Sequence, residues 1–131
     1  MILAIDPGKD KCGLALFNKE GKVVEQRIVR RHELFQAIAH YREATKLIIG
    51  DSANGRQINE ELSRHHSAVQ IVLFPERNTT RQAKEAYWRA HPRHGLWRLV
   101  PVSLRTVPVP VDDYAAAIIG KNYLASAQLR P

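Results

Sequence analysis

The chain has 131 residues, is 44% hydrophobic, and carries 20 Lys and Arg against 13 Asp and Glu, a formal net charge of +7. That is the size of a single domain, 1–131, able to bury about two-thirds of its unfolded surface, and no apolar run approaches the ~20 residues of a membrane-spanning helix. A single cysteine, Cys12, excludes an internal disulfide and, with scattered histidines, any zinc-ligand spacing, so a reducing cytoplasm without membrane attachment is the expected setting.

Ile2 to Ile5 are consecutively apolar and predict a fully buried strand over 2–6 that ends on Asp6. Pro7 and Gly8 turn the chain, and the apolar run after Cys12 predicts a second strand over 13–18. Asn18 to Gly21 reads as the turn into a third strand over 22–29, with Gly21 free to take positive φ. Leu34, Phe35, Ile38 and Tyr41 recur at three- and four-residue spacings and predict a helix over 31–44. Residues 46–50 form a short buried strand closed by the turn-prone run Asp51 to Gly55, and a second helix over 57–66 buries Ile58 and Leu62. The fifth strand is 69–74, closed by Pro75.

Thr79 or Thr80 caps a helix running to about residue 90, which Pro92 ends. Pro92, Pro101, Pro108 and Pro110 make 92–111 an ordered but irregular crossing. Asp112 or Asp113 caps a last helix through about 127, with Ala116, Ile119, Tyr123 and Leu124 inward. The order βββαβαβαα predicts an α/β fold with a mixed five-stranded sheet flanked by helices, the order of the ribonuclease H-like fold. Such an order carries no chemistry by itself.

The chemistry is suggested by where the acids fall. Asp6 ends the first strand, Asp51 follows the fourth, Glu76 follows the fifth, and Asp112 and Asp113 open the last helix. With strands one, four and five parallel, their C-terminal ends share one edge, where open α/β sheets bind ligands. Carboxylates converging there repel one another unless a cation neutralises them. Hard oxygen donors of this kind suit Mg2+ or Mn2+, and two such ions activate a water and stabilise the leaving oxygen in phosphodiester hydrolysis. Each acid alone also fits a blander role: Asp6 and Asp51 as turn residues, Glu76 as a surface partner of Arg77, Asp112 or Asp113 as a helix cap.

Charge is also concentrated. Residues 77–105 hold Arg77, Arg81, Lys84, Arg89, Arg93, Arg98 and Arg105 against one acid, Glu85, with Tyr87, Trp88 and Trp97 interleaved. Cations beside aromatic faces suit a nucleic-acid backbone and its bases, and arginine's fork suits phosphate. The alternative is a solvated helix face whose aromatics belong to the core.

Three segments resemble a known family: Ala4 to Gly8 with Gly13 to Leu16, Glu76 to Thr80 with Ala83, and Val111 to Ala116 with Tyr123 and Leu124. In order and spacing they are similar to the YqgF family, in the RuvC-like branch of ribonuclease H-fold nucleases. The resemblance implies a Holliday junction resolvase or a nuclease trimming the precursor of small-subunit ribosomal RNA. It also implies catalytic carboxylates at Asp6, Glu76 and Asp112, a divalent metal held by them, and structured RNA or branched DNA as partner. Asp112 is preferred to Asp113 because the family's acid stands three residues before paired alanines; Asp113 remains a second ligand. Two departures stand out. Pro75 replaces the acid usual before the glutamate, and Gly50-Asp51-Ser52 replaces a glycine–apolar–proline run, which makes Asp51 a further metal ligand.

The leading expectation is thus a metal-dependent nuclease, with Arg77, Arg81, Lys84, Arg89, Arg93 and Arg98 tracking the nucleic-acid backbone. A non-catalytic binding module on the same fold is the alternative, disfavoured because carboxylates repel phosphates unless metal is bound. An actin-like ATPase would need a second lobe and a second phosphate loop. Symmetric resolution of a four-way junction would further require a two-fold homodimer, and a monomer would favour RNA.

Overall fold

A computed structural model describes residues 1–65, 69–75, 82 and 112–128. Five strands form one sheet: β1 (Ile2–Asp6), β2 (Lys11–Phe17), β3 (Val23–Arg30), β4 (Lys46–Gly50) and β5 (Gln70–Phe74). Their order is β3-β2-β1-β4-β5. β2 pairs antiparallel with β1 and β3, whereas β4 runs parallel to both β1 and β5. This is the mixed sheet expected of a ribonuclease H-like chain. Gly21 turns β2 into β3 at φ 80°, as its lack of a side chain permits.

Both faces of the sheet are covered, which is why β1, most of β2 and β4 read as unbroken apolar runs. Helices α1 (Leu34–His40) and α2 (Ala53–His65) cover one face. There Leu34 and Ile38 of α1 and Ile58 and Leu62 of α2 join Leu3, Ile5, Leu14, Leu47 and Ile49 in one cluster. Helix α3 (Asp112–Gln128) covers the other, with Ala116, Ala117 and Ile119 against Ala4, Ala15, Phe17 and Ile48. Burying one Leu or Ile fully contributes about 1.5–3 kcal/mol.

Element ends differ most from expectation in three places. β2 begins at Lys11, so Cys12 is inside the sheet and buried. The helix expected over 31–44 is a 3₁₀ turn (Arg31–Glu33) followed by α1, which stops at His40. Tyr41 leaves helical geometry at φ −92°, ψ 67°, because the chain must turn to enter β4, and the Thr45 N–H then bonds the Met1 carbonyl at 3.0 Å. α2 starts at Ala53, inside the run expected to be a turn. Ser52 caps it: its Oγ accepts from the Gly55 N–H at 3.1 Å and its carbonyl from the Arg56 N–H at 2.9 Å. The helix expected from Thr79 or Thr80 to about 90 and the crossing over 92–111 lie outside the described residues, Gln82 aside.

Candidate metal and nucleic-acid site

β1, β4 and β5 are parallel, so their last residues lie along one edge. Ile5 is level with Ile49 and Gly50 with Phe74. Asp6, half-buried, therefore ends β1 beside Gly50, with Asp51 one residue beyond. Adjacent strands lie about 4.8 Å apart. The Asp51 N–H donates to the Phe74 carbonyl at 2.7 Å, fixing the end of β4 to that of β5. Its exposed carboxylate accepts from Arg56 Nε at 3.1 Å. Sequence reasoning missed Arg56. An acid just before a capping serine, with a cation in the first turn of the helix, was the signal available.

α3 runs back across the sheet. A Cβ on Gly120 would clash with the edge of the Phe17 ring, and Phe17 stands opposite Ile2 at the start of β1. Lys46, also level with Ile2, donates from Nζ to the Tyr123 hydroxyl at 2.9 Å. The C-terminal half of α3 thus lies over the start of β1. From Gly120 back to Asp112 the helix rises about 12 Å, and β1 covers about 13 Å from Ile2 to Asp6. The N-terminal end of α3, which opens with Asp112 and Asp113, therefore points toward the end of β1.

The face of each residue follows from alternation. Leu3 and Ile5 point to the α1–α2 side and Ala4 to the α3 side, so Asp6 also belongs to the α3 side. Asp6 and α3 therefore share one face of the sheet. Among the described residues, no three His, Cys, Asp or Glu side chains are grouped as a metal site. Glu76, Arg77, Arg81, Lys84, Arg89, Arg93 and Arg98 lie outside the described residues, as does the register of that basic stretch.

On the opposite side, beside the β1–β2 turn, a cleft of about 560 Å³ is lined by residues including Lys9, Arg31, Phe35, Asn54, Gln57 and Glu61. Arg31 is paired with Glu61 at 3.6 Å and lies 5.6 Å above the Phe35 ring centroid. With Asp10 beside Lys9, its acids balance those two cations, which makes it a polar cleft and no anion site. No helix of the described residues is long and apolar enough to cross a membrane.

The fold is similar to that of solved structures. Thermus thermophilus RuvC matches at a TM-score of 0.50 and 15% identity, over 98% of this chain and 96% of that one. T. thermophilus RuvC in complex with a Holliday junction substrate matches at 0.50 and 16%, over the same shares. No protein-family model matches the sequence, and no match is found among curated proteins. At this identity the likeness establishes a shared fold, the ribonuclease H-like fold of RuvC.

Proposed function

We propose that the chain is a divalent-metal-dependent nuclease that hydrolyses phosphodiester bonds in branched DNA. The observation that carries this reading is the position of Asp6 at the end of β1, on the sheet face that α3 covers, with Asp51 following β4 on the same sheet edge. Asp6, Glu76 and Asp112 would be the catalytic carboxylates, with Asp51 and Asp113 as additional ligands. The donor set fits Mg2+ or Mn2+, hard cations that take carboxylate oxygens. Such an ion, when bound, supplies Lewis-acid activation of water and phosphate.

The chain's own residues do the rest. The short, buried β1 fixes the Asp6 backbone in the sheet, so its carboxylate does not wander with a loop. α3 carries its acids on a helix braced by the buried cluster that holds Ala4, Ala15 and Ala116, and Arg77, Arg81, Lys84, Arg89, Arg93 and Arg98 would hold the nucleic-acid backbone. The RuvC likeness, one structure of which holds a Holliday junction, favours a four-way DNA substrate over an RNA precursor.

The test is cleavage of a labelled four-way DNA junction and of a ribosomal RNA precursor, with magnesium or manganese, beside Asp6→Asn purified identically. Cleavage of the junction by the wild-type chain should fall at least about 100-fold in the variant, within the range that loss of one essential group produces. Full activity in Asp6→Asn would sink the assignment, and Asp6-dependent trimming of the RNA alone would replace the DNA substrate by RNA.

A further inference from the structure

A cationic pair stands on the flank of Asp6, apart from the basic stretch at 77–105. In the β2–β3 ladder Lys11 lies directly opposite Arg30, and both are exposed. Their neighbours Cys12 and Val29 are buried against the α1–α2 side. Alternation therefore turns Lys11 and Arg30 to the α3 side, the side of Asp6. Asp6 stands opposite Gly13, which is about 7 Å along β2 from Lys11 and has no side chain to intervene. Arg30, on the edge strand β3, forms the outer rim.

Like charges placed directly opposite in an antiparallel pair are destabilising. Among the described residues neither Lys11 nor Arg30 forms an ion pair with a carboxylate. An anion bound between them would remove the repulsion. Placed beside a carboxylate edge that a metal would occupy, that anion fits a phosphate of the same polyanion, one or two positions from the bond being cut.

We propose that Lys11 and Arg30 form a phosphate clamp that holds the nucleic-acid backbone on the β2–β3 flank of Asp6. The nature of the polyanion rests on the nuclease reading; the clamp rests on the ladder register and the shared face.

The test uses the full chain, a labelled four-way DNA junction and calcium in place of magnesium, with affinity read by fluorescence anisotropy across a salt series. Lys11→Gln/Arg30→Gln removes two phosphate contacts. Between about 50 and about 200 mM salt it should lose roughly tenfold less affinity than wild type does. Its melting temperature should be unchanged or higher, because a like-charge repulsion has gone. Lys19→Gln/Lys22→Gln, an equal charge removal at exposed positions in and beside the β2–β3 turn, is the control and should keep the wild-type slope more closely.

Equal slopes for the clamp variant and wild type would overturn the clamp, as would an equal change in the control. Cleavage by wild type with magnesium alongside equal slopes would remove the clamp and leave the nuclease standing. A selective loss of slope without wild-type cleavage would support the clamp and remove the nuclease. No junction binding by wild type would overturn both.

Discussion

Tyr41 closes α1 with its ring in the core, and its hydroxyl meets Glu25 and Arg27 on β3. Burial is the main reason that its phenol titrates above the usual 10.0; Glu25 pushes the same way and Arg27 opposes both. The folded chain therefore holds the phenolic proton more tightly than the unfolded one. The stabilisation is complete below pH about 10 and is lost as pH rises through the folded value. Tyr41→Phe keeps the ring and discards the titration. Its denaturation midpoint should fall less than that of wild type between about pH 9 and about pH 11, at a cost near neutrality of about 1 kcal/mol for the lost hydrogen bonds. Parallel pH profiles for the two proteins would show that ionisation of Tyr41 does not couple to folding.

Small residues set how closely α3 approaches the sheet. Ala4 and Ala15 form the floor, Ala116 and Ala117 face it, and Gly120 rests on the Phe17 ring. Gly120→Ala would gain up to about 1 kcal/mol of helix propensity. Overpacking against an enclosed ring costs about 1–3 kcal/mol, so the net effect should be destabilising. Chemical denaturation decides it, and Gly120→Ala with Phe17→Leu should recover part of the loss. A more stable single variant would mean that the helix shifts freely on the sheet, which would also loosen the placement of Asp112. The inward positions of this helix were legible from sequence, since Ala116 and Ile119 recur at helical spacing and are fully buried. So were the strand ends at Asp6 and Gly50, because turn-formers follow buried apolar runs. The start of α2 was not legible. Asp51 to Gly55 is composed of turn-formers, and only the bonds from Ser52 show that the serine opens a helix. The Lys11–Arg30 opposition was equally hidden, because ladder register depends on where strands begin, and β2 begins two residues earlier than its apolar run suggests.

Over the whole molecule, a chain of net charge +7 carries acids at the one edge where a phosphodiester would have to be cut. In the proposed nuclease those carboxylates would oppose the polyanion that the basic residues attract, and a divalent cation would reverse the sign of their contribution. Metal and nucleic acid should therefore bind with positive coupling, and the coupling must be reciprocal. Wild type should bind a four-way junction about 5- to 150-fold more tightly in calcium than in chelator, the range of coupling free energies of 1–3 kcal/mol. The junction should in turn lower the calcium concentration needed for half-saturation by the same factor. Asp6→Asn/Asp112→Asn removes two of the charges responsible: it should bind more tightly than wild type in chelator and respond little to calcium. Calcium also acts on the DNA itself, so the comparison that counts is between the two proteins on one junction. Equal calcium responses would place the cation's effect on the nucleic acid, and the acid edge would then have no metal to hold.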